Sequence, residues 1–253
     1  DQVQSQIEEL ALQSVKNREQ LKAELSWLMT TEADNGYLFG YEVGRRDTGF
    51  SLLPILVEAL KSTKDNVSAY FLGGYFKAIF EKDKELWENQ LDRLIEDHIL
   101  NVWVPELTWR SGMTDRSAIR VLGLAESGII GVPHFRMFQY GGVIRGLSEK
   151  TFRKWIDFLI DRQEAESISI ALDLYYFFYL RKESKYKLPR ELTLVLLTHP
   201  LLFEKQEIAR RNQMDDFQWA EIGKAFVTIY PKDSLALADK MIEYFGEEGT
   251  ILG

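Results

Sequence analysis

The sequence contains no cysteine and only three histidines among its 253 residues. Without cysteine there can be neither a disulfide framework nor a thiolate metal site. The three histidines, His98, His134 and His199, are too far apart in the chain to form an H-x-x-x-H metal pair. We therefore expect no bound metal. The lack of cysteine is compatible with the cytoplasm, which is the location that we expect.

Long apolar runs and an excess of positive charge are also lacking. No run reaches the roughly 18 apolar residues of a membrane-spanning helix, because Glu58 and Asp173 interrupt the longest apolar stretches. The formal net charge is −8, whereas modules that bind nucleic acid usually carry a basic excess that displaces counterions from phosphate. We therefore predict no membrane association, and the charge argues against nucleic acid as a partner.

No segment carries a catalytic or cofactor-binding motif. The glycine-rich residues 140–146 lack both the Lys-Ser/Thr pair of a phosphate-binding loop and the G-x-G-x-x-G order of a dinucleotide site. Asp215 and Asp216 precede an apolar helical pattern, where carboxylates complement the helix dipole, so we interpret them as a helix start. The sequence thus predicts no cofactor and no catalytic residue.

The most informative feature that is present is an internal echo. Two Asp-Asn pairs, at 34–35 and 65–66, each precede an aromatic segment with a glycine, which is Gly40 in the first segment and Gly74 in the second. The pairs lie 31 residues apart and the glycines lie 34 residues apart. A period of this size, carried by paired helices, is typical of an α-solenoid.

Apolar residues recur at helical spacing along most of the chain, which predicts an all-α protein with one helical-repeat domain over residues 1–253. The chain begins at Asp1 inside a helical pattern, so we expect it to be a piece of a larger protein. The predicted divisions are regular helical pairs in residues 1–100, an irregular central segment in residues 101–147, and further helical pairs in residues 148–253.

Several helix starts can be predicted from side chains that cap a helix. We expect helices to begin at Asp65, at Thr114 or Asp115, and at Ser148. By contrast, residues 102–104 precede Pro105, and a residue before proline avoids the helical region. We therefore expect residues 102–104 to be extended.

The predicted helical pairs resemble HEAT and armadillo-like repeats over most of the chain, with residues 101–146 departing from the pattern. The resemblance rests on the period and on the Asp-Asn helix starts. It implies a right-handed α-solenoid of stacked antiparallel helix pairs, whose curved inner surface binds another protein or a peptide. An analogy at the level of the fold is not itself evidence of function.

Five consecutive aromatic residues, 175–179, form the most unusual local feature. Successive residues of a helix turn by about 100°, so the five rings cannot share one face. We favour a helix that is buried on nearly all sides. If one or two rings reach the surface, they mark a partner site, for which Tyr176 and Tyr179 are the candidates.

A basic run follows directly. Residues 181–190 include five basic residues and one acidic residue, a local net charge of +4. The simplest interpretation is a solvated loop between helices. The alternative is an electrostatic contact for an acidic partner surface or a phosphate group, with Tyr186 available to stack. The candidate contact residues are Arg181, Lys185, Lys187 and Arg190.

A second cluster of candidates combines arginine with tryptophan. Arg116 and Arg120 lie one helical turn apart, and Trp103 and Trp109 lie nearby in the sequence. Together with Arg110, these residues could form a cation–π pocket. In the alternative interpretation, arginine stems cover tryptophan faces and pack a corner of the fold.

Three functional hypotheses follow. The first is a protein- or peptide-binding scaffold, without catalysis, within a larger protein. The second is a helical-repeat enzyme that resembles the alkylpurine DNA glycosylases, in which Trp, Asp and Arg line a cationic groove; Trp103, Trp109, Asp115 and Arg116 are of these types, although the net charge of −8 opposes DNA binding. The third is a structural segment that associates through the aromatic helix near Tyr175. The oligomeric state stays open.

Overall fold

The computed structural model describes residues 2–182, 184–203 and 213–245. Every regular element in these residues is a helix, and their extended pairing is limited to an isolated antiparallel bridge between Thr30 and Val67. The prediction of an all-α protein is therefore confirmed. None of the helices in the described part of the chain is long and apolar enough to span a membrane.

The chain divides into two compact units, Asp1–Ile130 (unit 1) and Gly131–Gly253 (unit 2). The boundary falls inside the segment 101–147 that the sequence marks as irregular. The organisation as one repeat domain stays a prediction.

Unit 1 is built from eight α-helices with two short 3₁₀ segments, Thr48–Phe50 and Asn101–Trp103. The α-helices are α1 (Gln2–Lys16), α2 (Arg18–Leu28), α3 (Gly36–Arg46), α4 (Leu53–Ser62), α5 (Tyr70–Lys82), α6 (Lys84–Glu96), α7 (Val104–Ser111) and α8 (Asp115–Glu126).

Four helices of unit 1 pack in one row. Helices α1, α3, α5 and α7 contact one another in that order, α2 contacts α4, and α6 contacts α8. Contacts between α1 and α2, α5 and α6, and α7 and α8 join the row to the other helices. The apolar faces of these helices are therefore buried against one another within unit 1.

The contact between α3 and α5 brings two helix backbones together. A β-carbon built on Gly40 would lie 1.9 Å from the carbonyl oxygen of Phe71, and one built on Gly74 would lie 1.9 Å from the carbonyl oxygen of Tyr37. Only glycine, which has no β-carbon, fits at these two positions. The two glycines of the sequence echo thus lie on facing sides of a single helix–helix contact.

The two helices of this contact run in the same direction. The amino-terminal Gly36 of α3 lies beside Phe71 at the start of α5, whereas Gly44 lies beside Ala78, further along α5. Because the contacting residues advance in the same direction along both helices, the two helices are parallel. Helices α3 and α5 therefore lie side by side in parallel.

Two local predictions for unit 1 are wrong. Helix α5 begins at Tyr70 and not at Asp65, because residues 66–68 pair with an earlier segment: the amide of Ser68 donates to the carbonyl oxygen of Met29 at 2.8 Å. Residues 102–104 are not extended either, since they form a 3₁₀ turn and the start of α7. Pro105 lies in the first turn of α7, where its missing N–H removes no hydrogen bond.

Two other predicted helix starts are confirmed. Thr114 precedes α8, accepts a hydrogen bond from the amide of Ser117 and donates its own amide to the Ser117 hydroxyl, which forms a capping box. Ser148 precedes the first α-helix of unit 2 and accepts a hydrogen bond from the amide of Thr151. In both cases a short hydroxyl side chain satisfies an amide that has no partner inside the helix.

The α-helices of unit 2 are α9 (Glu149–Asp161), α10 (Ala165–Tyr179), α11 (Arg190–Leu197), α12 (Gln213–Ile229) and α13 (Ser234–Phe245). Unit 2 surrounds one central helix, α10, which contacts α9, α11 and α12. The side chains of Asp215 and Asp216, which the sequence predicts at a helix start, lie outside the described ones. The 3₁₀ segments are Val132–Gln139, Val143–Gly146, Pro200–Leu202 and Pro231–Asp233.

Candidate functional site

The aromatic run of α10 is buried on most sides but not on all. Tyr175, Phe178 and Tyr179 are buried, whereas Tyr176 and Phe177 are partly exposed. Because five successive residues point around the whole circumference of the helix, two of the rings lie away from its most buried side. Both alternatives of the sequence interpretation are therefore realised in part.

Tyr179 holds α9 and α10 together. Its side chain is only 7% exposed, and its hydroxyl donates a hydrogen bond to Glu149 at 3.0 Å. Burial raises the pKa of Tyr179, with contributions from Tyr175 and from the Glu149 carboxylate, so the hydroxyl remains a donor at neutral pH. Tyr179 therefore faces the interior of unit 2 and presents no surface to a partner.

Arg181 covers the two emerging rings. Its guanidinium carbon lies 4.8 Å from the centre of the Phe177 ring and 5.7 Å from that of the Tyr176 ring. These distances are within the range of cation–π contacts. The basic segment thus begins with an exposed cation that is positioned by the end of the aromatic helix.

Tyr186 places the middle of the basic segment against α9. Its ring stacks on Phe178, with centres 5.4 Å apart, and Phe178 stacks in turn on Phe152 of α9 at 3.8 Å. The Tyr186 hydroxyl donates to the carbonyl oxygen of Leu147 at 3.3 Å. One face of the Tyr186 ring is therefore covered by Phe178, and the ring acts as an anchor for the loop.

This anchoring brings two groups of cations to the same region of unit 2. Lys185 and Lys187 flank the anchor and are exposed, and α9 begins two residues after Leu147. Exposed cations at 150, 153 and 154 recur at the spacing of three to four residues that places side chains on one face of a helix. We define the basic surface as Lys150, Arg153, Lys154, Arg181, Lys182, Lys185 and Lys187.

Among the described residues, acidic side chains neutralise only a small part of the basic surface. In the described part of unit 2, Arg153 forms an ion pair with Asp157 at 3.6 Å. Glu149, the other carboxylate at this end of α9, is bound to the Tyr179 hydroxyl. The basic surface therefore keeps a positive local charge although the whole chain is acidic.

Arg190 does not belong to the basic surface. It donates two hydrogen bonds to the carboxylate of Asp233, at 2.6 and 2.7 Å. These hydrogen bonds hold the pKa of Asp233 below its ordinary value. Arg190 therefore joins the start of α11 to the segment that precedes α13, and its charge is satisfied within unit 2.

The arginine and tryptophan candidates of unit 1 separate into two groups. Arg110 lies over the ring of Tyr70 at 3.9 Å and over the ring of Trp109 at 4.8 Å, and it pairs with Glu106 at 2.7 Å. Trp103 and Trp109 are partly buried. These contacts place Arg110 among aromatic rings, in agreement with the interpretation of a packed corner.

Arg116 and Arg120 instead contact the acidic helix α6. Arg120 binds Asp92 at 2.6 Å and Glu88 at 2.9 Å, and Arg116 binds both Asp92 and Glu85. Three carboxylates thus surround two guanidinium groups. The arginines of this region are neutralised by α6 and provide no cationic groove.

Comparisons with known proteins gave no match, either to a family model, to a curated protein or to a solved structure. Within the described residues, no three His, Cys, Asp or Glu side chains are grouped so that they could hold a metal ion. The basic surface of unit 2 is therefore the feature on which a functional proposal rests.

Sequence reasoning identified the basic segment at 181–190 but missed the cations of α9. Lys150, Arg153 and Lys154 follow the predicted cap Ser148 at helical spacing, so their shared face could have been recognised. Their proximity to Lys185 could not, because it depends on the position of the Tyr186 ring against Phe178.

Proposed function

We propose that this chain is a helical scaffold module that binds an acidic segment of another protein through the basic surface of unit 2. The observation that carries the proposal is the meeting of two basic segments, 150–154 and 181–187, in a chain whose net charge is −8. A local charge of opposite sign to the rest of the chain orients an acidic partner and raises its association rate.

The helical architecture supports the scaffold part of the proposal. In a HEAT or armadillo-like solenoid, corresponding helices of successive repeats lie side by side in parallel, as α3 and α5 do. We propose a solenoid of this right-handed type as the finer description of the fold. Such scaffolds present extended surfaces to elongated partners.

The composition of the basic surface favours carboxylates over phosphates. Five of its seven cations are lysines, and a lysine ammonium is a flexible point charge. Arginine is the residue that recognises phosphate with a fixed pair of hydrogen bonds. A surface of mobile ammonium groups suits a run of Asp and Glu side chains, and the acidic balance of the chain disfavours a long polyanion such as nucleic acid.

Charge reversal tests this proposal. We expect that changing Lys150, Lys154, Lys185 and Lys187 to Glu weakens the binding of a fluorescein-labelled oligoglutamate peptide by at least about tenfold, because each exposed ion pair contributes up to about 1 kcal/mol. The measurement is fluorescence anisotropy at low and physiological salt. Binding by the unmodified chain should weaken as salt increases, since exposed charges are screened.

A matched control carries the same change in net charge at other sites. The control positions are four exposed lysines outside the basic surface, Lys16, Lys64, Lys224 and Lys232. Their replacement by Glu should weaken the binding of the peptide much less. Equal losses in the two variants would contradict a localised site. Tighter binding of a labelled single-stranded DNA than of the peptide would contradict the choice of a protein partner.

A further inference from the structure

A cavity in unit 1 is lined by acidic side chains, in contrast to the basic surface of unit 2. Its volume is about 360 Å³, and it lies where α1, α2 and the start of α3 meet. Its apolar wall includes Leu10, Trp27 and Phe39, and its charged side chains are Glu32 and Asp34. The volume is near the lower end of the range for small-molecule sites, which is about 300–1,000 Å³.

The apolar wall includes two large side chains that remain accessible. Trp27 is 48% exposed and Leu10 is 53% exposed, although Ile7 and Leu28 beside them are buried. Exposed apolar surface gathered in a concave site, with polar groups at its edge, is typical of a binding site. The wall therefore offers apolar contact area to a ligand of moderate size.

The charge of the cavity has a single sign. Glu32 and Asp34 are exposed carboxylates, and none of the described residues that line the cavity is a lysine, arginine or histidine. Unit 1 as a whole has 21 acidic and 14 basic residues. An anionic ligand would be repelled, whereas a cation would be attracted both by the carboxylates and by the face of the Trp27 indole, the aromatic ring that binds cations best.

A separate observation concerns the Asp-Asn pair that the sequence marks as a helix start. Helix α3 does begin after Asn35, but the Asn35 side chain makes no capping hydrogen bond to it. Asp34 and Asn35 instead line the cavity. Two polar residues that have the usual position of a cap thus belong to the lining of the cavity.

We propose that this cavity binds a small organic cation, that is, an ammonium or guanidinium group on an apolar body. The cationic group lies over the Trp27 ring and near Glu32 and Asp34, and the apolar body lies against Leu10 and Phe39. The site is independent of the proposed function, since it lies in the other unit and attracts the opposite charge.

The first test uses a pair of matched probes. We expect benzyltrimethylammonium, an aromatic cation, to shift the amide resonances of residues around the cavity in a two-dimensional NMR titration, and benzenesulfonate, an aromatic anion, to leave them unchanged. Nα-acetyl-arginine methylamide serves as a third probe. Binding of the arginine derivative alone would support the cation chemistry and assign the ligand to a side chain of a protein.

The second test separates the cation–π contact from simple apolar contact. Trp27→Leu should weaken the binding of benzyltrimethylammonium about tenfold. Trp27→Phe keeps an aromatic face and should weaken this binding less. Because Trp27 is half exposed, both variants should fold, which circular dichroism will verify. Equal affinity of the two variants would overturn the assigned role of the ring.

The third test concerns the carboxylates. The double variant Glu32→Gln/Asp34→Asn should also weaken the binding of the cation about tenfold, because the two charges that it removes lie beside the ligand. The control is Glu24→Gln/Glu96→Gln, which changes the net charge equally at exposed residues outside the cavity and should have little effect. Unchanged affinity in the first variant, or equal binding of the cation and the anion, would overturn the proposal.

Discussion

Replacing Gly74 by alanine should destabilise unit 1 by about 3 kcal/mol, because overpacking a tight contact typically costs about 1–3 kcal/mol and the obstacle here is backbone. A β-carbon on Gly74 would lie 1.9 Å from the carbonyl oxygen of Tyr37 and 2.7 Å from the amide nitrogen of Tyr41. A side chain could rotate away, but a helix backbone cannot. Helices α3 and α5 would have to move apart along their contact. The measurement is urea denaturation followed by circular dichroism.

Gly123→Ala is the matched control for this prediction. Gly123 lies in α8, and a β-carbon built on it meets no atom within 4 Å. Alanine in an open helical position should stabilise the protein by about 0.5–1 kcal/mol, since glycine loses more backbone freedom on folding. The same chemical change should therefore have opposite signs at the two positions. A similar loss of stability in both variants would contradict the close α3–α5 contact.

The double variant Gly40→Ala/Gly74→Ala provides a further check. The two glycines face the partner helix within the same contact, so the first alanine already separates the helices and leaves space for the second. The double variant should therefore lose less stability than the sum of the losses in the two single variants. This coupling distinguishes a shared contact from two independent effects on helix stability.

The sequence shows the spacing of Gly40 and Gly74 but not the contact between them. A period of 34 residues indicates that two helical units are alike. That the two glycines lie on facing sides of α3 and α5 follows from the parallel crossing of these helices. This crossing is set by packing across the whole row, and no local pattern specifies it.

Helix starts were predictable where the decisive interaction is local. Thr114 and Ser148 satisfy amides three residues further along the chain, so the signal lies within a few residues. Asp65 is a suitable cap by the same criteria, yet Ser68 binds the carbonyl oxygen of Met29. A partner 39 residues away overrides the local preference, and sequence reasoning has no access to it.

The basic segment illustrates the same limit at the candidate site. Its charge is visible in the sequence, but whether each side chain is exposed or bound depends on residues that are distant in the sequence. Arg190 binds Asp233, which is 43 residues away, and Tyr186 binds the carbonyl oxygen of Leu147, which is 39 residues away. The composition therefore indicated that a basic surface exists, whereas the structure was needed to decide which residues belong to it.

A buried ion pair in unit 1 leads to the second large expected effect. The side chains of Arg120 and Glu88 are 4% and 7% exposed, and they lie 2.9 Å apart. Arg120→Leu would leave the buried Glu88 carboxylate with only the more distant, half-exposed Arg116, whose Nε lies 4.0 Å from it. We expect a loss of about 3–5 kcal/mol in the free energy of unfolding, which is typical when one partner of a buried pair is removed. Urea denaturation at neutral pH measures it.

Two further variants identify the source of this loss. The double variant Arg120→Leu/Glu88→Leu removes both charges, so most of the stability should return, because an apolar pair needs no compensating charge. Arg116→Leu removes an arginine that is 48% exposed and should cost less than about 1 kcal/mol. If the double variant were as unstable as Arg120→Leu, the loss would come from packing and not from the unpaired charge.

The pH dependence of Asp92 gives an independent measure of the same network. Partial burial acts to raise the pKa of Asp92, but hydrogen bonds from Arg120 and Arg116 outweigh it and hold the pKa below its ordinary value. A lowered pKa in the folded state stabilises the protein above the ordinary value of about 3.9, and this contribution is lost as the pH falls through the lowered pKa. In Arg120→Leu, the pKa of Asp92 should rise, which an NMR titration of its carboxyl group detects. An unchanged pKa would mean that Arg116 alone controls Asp92.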